Sequence, residues 1–546
     1  MDAQVDPAVA PTRSPKTASR WMQAGIFLTV FFANLIAESR TQPYNDSKYI
    51  YAVAESIVYR GAIDIPFPVA KSYGPHPFLV SAIHVPGVAL RKAILAHYPD
   101  ADGVVKPITS HLGSQLMTAL GCLLFLRLLL FLGMSAATAS VGTLFLAFAT
   151  FLPIYARTAW SEACQAACFT GFFSALLRLR ADPRRKTGLW FGFWAGMLLN
   201  SKYIYGLALP GAVLFLAYGA WKAKTLRPML VAGLWSALPG ALLGAVIVWY
   251  NLARTGSISG TGYPALGELS VSVFGESIFV GLWSYFFSFG KSLFLYAPPL
   301  ILTVIALPSM YRRHRALLAA ILLTTTPVVL AYCKFAHWSG DWCWGPRYLI
   351  FLLPVLMLPA VYLLEGLQER KRTIALAGCA TLFVVGVWVQ IVGGSQYWDI
   401  YIRFTKAAQE QWLGVPNRKG ALTQGRGEHC DPCFEDFYAR NYTPAFQPIE
   451  HQAWFLKHHI FGHTFEQAVV DSPLRRYTTL HFDSAKGWYS DPHFDWWKLG
   501  FGGKFKLAGN LLLAFFILGF AGGTSAWIIP LRRQRRVSPG GTKGSC

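Results

Sequence analysis

Residues 21–37 read WMQAGIFLTVFFANLIA, an uncharged apolar run between a polar tail carrying Arg13, Lys16 and Arg20 and a segment, Glu38 onward, that turns polar at once. Crossing the hydrocarbon core of a bilayer takes about 20 apolar residues, so this run reads as a membrane span. It decides the fold because the pattern recurs along the chain. The 546 residues are 54% hydrophobic, 15% aromatic and only 14% charged, a balance that excludes a soluble globular enzyme. Sheet edges cannot survive in lipid, so the spans are helices.

Eleven further segments carry the same signature. They are His111 to Leu132, Ala137 to Tyr155, Ser161 to Leu179, Leu189 to Asn200, Tyr203 to Trp221, Met229 to Tyr250, Tyr296 to Met310, Ala316 to Tyr332, Tyr348 to Leu367, Ile374 to Val392 and Lys506 to Pro530. The fold class expected is an all-α polytopic membrane protein of about 12 transmembrane helices. Basic clusters fall in the tail at Arg20 and at Arg178 to Lys186, Lys222 to Arg227, Arg312 to Arg315, Arg370 to Arg372 and Arg532 to Arg536. Placing them all on the cytoplasmic face is self-consistent. That accounts for most of the formal charge of +22 through topology and anionic headgroups, without nucleic acid.

The organisation that follows is a cytoplasmic tail (1–20), a transmembrane catalytic module (21–393) with a first external loop (38–110), an external segment (394–505), a last span (506–530) and a basic tail (531–546). No cleavable signal is expected, because the first apolar run follows a polar, Pro-containing tail. Polar residues gather at the external ends of the spans, whereas a transporter keeps them near the midplane.

The first external loop is the most informative. In DSKYIYAVAESIVYRGAIDIP, Tyr51, Ala54, Ile57 and Val58 recur at helical spacing and Gly61 closes the pattern. Asp46 sits at the start of that helix, where a carboxylate is stabilised by the helix dipole; a simple N-terminal cap is the structural alternative to a chemical role. A turn and an interfacial helix follow in KSYGPHPFLVSAIHVPGVAL.

The order of a span, an acid, an amphipathic helix ending in Gly61, Asp64, and Tyr73-Gly74-Pro75 before an apolar helix resembles the first periplasmic loop of GT-C glycosyltransferases of the protein mannosyltransferase and aminoarabinose transferase type. YARTAWSE (155–162), YNLARTGSISGTGY (250–263), FSFGKSLFLYAPPL (287–300) and WSGDWCWGPRYLIFLLP (338–354) resemble bacterial members in the same order. The resemblance implies a GT-C-like bundle in the bacterial inner membrane, working on the extracytoplasmic side in cell-envelope glycosylation. It implies a polyprenyl-phosphate sugar as donor and a glycan, lipid or protein acceptor.

Such an enzyme needs a base for the acceptor and positive charge for the departing phosphate. The resemblance assigns the base to Asp46, with inversion at the anomeric carbon. Ser47 stands where the family often has a second acid. Candidate donor-binding residues are Arg157, Lys202, Arg254, Lys291 and Arg347, all at the external face, with Arg347 and Lys291 ranked first and snorkelling to headgroups as the alternative. Glu162, about one turn from Arg157, reads first as a structural ion pair and second as a substrate contact. Asp341 is a candidate to orient an arginine or bind sugar hydroxyls, and Tyr263 completes the substrate set. Trp338, Trp342 and Trp344 suit a sugar-stacking face or an interfacial belt.

Metal binding has thin support. Cys430 and Cys433 form a CxxC with His429, His451, His458, His459 and His463 nearby, yet a disulfide is favoured over zinc outside the cytoplasm. Cys333 and Cys343 bracket another external turn and are a second candidate pair; Cys122, Cys164, Cys168 and Cys379 read as apolar packers. A divalent cation assisting the phosphate is left open. The rival functions are a flippase or transporter of lipid-linked intermediates and a non-catalytic envelope-assembly scaffold.

Overall fold

The structure is a computed structural model. It describes residues 19–38, 46–66, 71–260, 274–335, 337–340, 343–395, 401, 441–461, 463, 467, 471–473 and 506–537. The architecture is a helical bundle with one small hairpin. Its helices are α1 (Arg20–Ile36), α2 (Asp46–Arg60), α3 (Phe78–Ala82), α4 (Val85–His97), α5 (Asp102–Phe131), α6 (Ala136–Phe148), α7 (Leu152–Ala156), α8 (Glu162–Ala181), α9 (Arg185–Ser201), α10 (Ala208–Lys222), α11 (Leu226–Thr255), α12 (Ile278–Phe287), α13 (Leu293–Tyr296), α14 (Ile301–Arg313), α15 (Arg315–Lys334), α16 (Leu352–Glu369), α17 (Thr373–Ser395), α18 (Pro448–Ile460) and α19 (Lys506–Val537). Strands β1 (Asp64–Pro66) and β2 (Lys71–Tyr73) pair antiparallel, Asp64 opposite Tyr73.

Each predicted span overlaps a helix, and eight helices among the described residues, seven of them in predicted spans, are long and apolar enough to cross a membrane. The chain is an integral membrane protein. Proline corrects several boundaries. Ala137 to Tyr155 is two helices, α6 and α7, with Pro153 in the first turn of the second, a position where its missing N–H does no harm. Pro298 and Pro299 form a 3-10 turn, so α14 starts only at Ile301. The segment expected as interfacial, Phe78–His97, is itself long and apolar enough to span.

α8 is the hub. It is buried almost all round, and its Ala163, Cys164, Ala167, Cys168 and Gly171 let α5, α9, α10 and α16 approach. On α9 the glycines 188 and 192 face the carbonyls of Ala232 and Ser236 on α11 so closely that an added Cβ would lie 2.1 and 1.9 Å from them. α1 pairs antiparallel with α19, with Thr29 Oγ1 and Thr524 Oγ1 3.4 Å apart and Phe32 packed on Phe516. The basic ends of these two helices therefore lie together, as the positive-inside pattern requires.

The amphipathic helix of the first loop forms as its periodicity predicts. α2 buries Ile50, Tyr51, Val53 and Ala54 and stops at Gly61, whose φ of +67° suits a residue without Cβ. Of 394–505, the described part packs back on the bundle. Phe446, Phe455 and Leu456 join the main core, and Gly290 N donates to Asn441 O at 3.2 Å.

Candidate active site

Asp46 opens α2, and its Oδ2 accepts from Arg347 Nη1 at 3.0 Å, across 301 positions of sequence. The arginine arrives on a turn, Gly345-Pro346, that leads through a 3-10 turn into α16. Its Nη2 donates to Tyr348 Oη at 3.2 Å, its guanidinium lies 4.9 Å from the centres of the Trp160 and Tyr348 rings, and its buried Nε has no partner among the described residues. Gly340, at φ +66°, lies flat on this side chain; a Cβ there would fall 2.7 Å from Arg347 Cγ.

Lys202 follows α9 in extended backbone, which throws its side chain off the helix axis. Its ammonium lies 4.6 Å from the Tyr348 ring centre and 5.5 Å from that of Tyr332, two rings stacked at 4.8 Å. Aromatic faces hold a cation without neutralising it. Glu162, 3% exposed at the start of α8, completes the group: Arg347, Lys202 and Asp46 are its charged neighbours, and its Oε2 has no hydrogen-bond partner.

Burial alone would raise the Asp46 carboxyl. Arg347 first, then His76 and Lys202, outweigh it and hold the acid below its ordinary value, although 43% of the side chain still meets water. His76 is pushed down to about 4 by burial, with Lys202, Arg347 and Arg254 adding to the effect against the pull of Asp46, and is neutral at pH 7. The arrangement is an ionised, water-reachable carboxylate beside two cations.

Several expectations are redistributed. Lys291 is wholly buried, its Nζ donating to Cys343 O at 2.9 Å, Cys343 Sγ at 3.0 Å and Gly345 O at 3.2 Å, so it braces the turn that carries Arg347. Arg254 is a second brace. Its Nη1 donates to the carbonyls of Gly74, Pro75 and His76 at 3.0, 2.9 and 3.1 Å, fixing the loop beside Asp46. Glu162 faces Arg347 and Lys202, whereas Arg157 donates to Gly394 O at 3.0 Å and has Glu38 as its charged neighbour; the expected Glu162 to Arg157 pair gives way because the turn between them points the two side chains to different neighbours. Cys333 and Cys343 are free thiols, the latter held by Lys291. Trp338 and Trp344 are 1% and 2% exposed, packed on Tyr285 and Tyr296, so they form neither a belt nor an open sugar face. Asp341, Trp342, Tyr263, His429, Cys430 and Cys433 lie outside the described residues, and the side chain of His459 is not described.

Sequence reasoning passed over buried polar groups, among them His76 beside Asp46 and Glu38. Glu38, at 0% exposure, is held by His111 Nδ1 at 2.8 Å and by Gln115 Nε2. The available signal was His111 and Gln115 four residues apart on one face of an apolar helix. Among the described residues, no three of His, Cys, Asp and Glu converge on one point.

No protein-family model matches the chain, and no curated protein does. Among solved structures it is similar to ArnT from Cupriavidus metallidurans bound to undecaprenyl phosphate, at 13% identity and a TM-score of 0.47, over 93% of this chain and 77% of that one. The apo state of the same protein aligns at 14% identity and a TM-score of 0.44, over 91% and 75%.

Proposed function

We propose that the protein is an inverting glycosyltransferase that moves a sugar from a polyprenyl-phosphate carrier to an extracytoplasmic acceptor hydroxyl or amine. The observation that carries this reading is the ionised Asp46 carboxylate set 3.0 Å from Arg347, with Lys202 and Glu162 beside it. Asp46 takes the proton of the acceptor as its oxygen or nitrogen attacks the anomeric carbon. The bond from that carbon to the phosphate oxygen breaks, and its electron pair leaves with the lipid phosphate. Attack from the face opposite the phosphate inverts the centre.

Arg347 and Lys202 are the cations best placed for the phosphate. The unpartnered Nε of Arg347 gives the guanidinium a donor for a phosphate oxygen in addition to the Nη1 that holds Asp46. The buried, unpartnered Oε2 of Glu162 is suited to accept from a donor-sugar hydroxyl that enters the site, a contact that discriminates strongly because a site built for it is left unsatisfied without it. Lys291 and Arg254 act through the loops they brace. The test is transfer of sugar from a polyprenyl-phosphate donor by purified protein. Asp46→Asn should abolish turnover while donor binding persists, and an Asn variant as active as the parent would remove the reading.

A further inference from the structure

α16 has 18 residues, so its far end lies about 27 Å from the turn that carries Arg347, at 1.5 Å per residue. There a cavity of about 480 Å³ opens between the ends of α14 and α16, against the turn after α5. Ile305, Leu363 and Leu367 are apolar residues of its lining, and Arg313, His314 and Arg370 are basic ones. The apolar lining continues onto the side of α14, where Ile301, Val304 and Ile305 are 40%, 49% and 59% exposed, an apolar track leading out of the cavity along the helix.

The lining charges are not equivalent. Glu365 is committed, accepting from Ser135 N at 3.1 Å and Ser135 Oγ at 3.0 Å as it caps α6. Glu369 also lines the cavity and has a partner of its own. Arg313 and Arg370, by contrast, have no ion-pair partner among the described residues. Two guanidiniums without an ion-pair partner among the described residues, lining an amphiphilic cavity, match a phosphate with an apolar tail. A soluble phosphate compound would make no use of the track.

We propose that this cavity binds an anionic phospholipid of the leaflet opposite the transferase site, its phosphate held by Arg313 and Arg370 and an acyl chain laid along Ile305, Val304 and Ile301. Each guanidinium offers a fork of donors that suits phosphate oxygens, and basic pockets between membrane helices on the cytoplasmic side are suited to anionic headgroups. The inference stands apart from the transferase reading, since it uses none of its residues.

The experiment is native mass spectrometry of the delipidated full-length protein titrated with phosphatidylglycerol. Arg313→Gln with Arg370→Gln should weaken retention about tenfold or more, the loss of two charge-assisted contacts, while Arg312→Gln, one residue outside the cavity, should leave it within about twofold. Leu363→Trp keeps both arginines and fills the cavity; it should lose the lipid as well, which preserves the test if the double variant fails to fold. Equal retention in the cavity variants and the parent would overturn the proposal. So would an equal loss in Arg312→Gln, the mark of diffuse surface charge, or displacement of the lipid by equimolar glycerol phosphate, the mark of a soluble-phosphate site.

Discussion

Asp46 and Arg347 sit 301 residues apart in the chain and 3.0 Å apart in the fold. α2 presents the acid, the Gly345-Pro346 turn presents the base-paired cation, and Lys291 and Arg254 hold the two supporting loops by their carbonyls.

The acid limb of kcat/KM reports the free-enzyme carboxyl. Because Arg347, with His76 and Lys202, holds Asp46 below its ordinary value against burial, the base stays ionised from neutral pH down into the acidic range. Activity should fall only as pH drops through that lowered value, on the acid side of an ordinary aspartate carboxyl. A pH profile with a limb near 6 would assign the base elsewhere.

Arg347→Gln should act twice. Removing the main cation that depresses Asp46 leaves burial to raise it, so the acid limb moves to higher pH. The lost phosphate contact should cost about 2–4 kcal/mol in kcat/KM, roughly 30- to 1000-fold. Stopped turnover across pH separates the two, since a purely structural residue would not shift the limb.

At Gly340, φ of +66° and the 2.7 Å approach to Arg347 Cγ both exclude a side chain. Gly340→Ala should lose about 1–2 kcal/mol from the left-handed backbone alone, and must also push Arg347 aside. A thermal shift with a disproportionate fall in transfer is expected; an active, equally stable Ala variant would contradict the contact.

Lys291→Met removes three donated bonds and leaves the carbonyls of Cys343 and Gly345 without that donor in the interior. Gly345 O keeps the donor Arg347 N at 3.1 Å, so the buried orphan is Cys343 O, at a cost of about 1–3 kcal/mol. Denaturant unfolding should therefore show a large loss of stability. Donor KM in the protein that remains folded should change much less than in Arg347→Gln, which distinguishes a brace from a ligand.

Much of the fold was legible because hydrophobic runs and helix stops are local signals. α2 with its Gly61 stop, and the positions of most spans, could be read from spacing alone, although Phe78–His97 reads as interfacial in sequence and prolines move two boundaries. The choice among five external cations could not. Lys291 and Arg347 looked alike in sequence, yet one is wholly buried under a turn and the other faces the acid. Glu38 was missed for the same reason, since its partners lie on a helix 73 and 77 positions away.

By itself, then, the sequence determined that this chain is a bundle of membrane helices with an acid at the start of an amphipathic helix that follows the first of them, because apolar length and glycine stops act over a few residues. Only the tertiary structure decided which charges meet. In a buried setting a cation goes to whatever oxygens the packing brings within reach, carbonyl or carboxylate, and that depends on how distant loops close over one another.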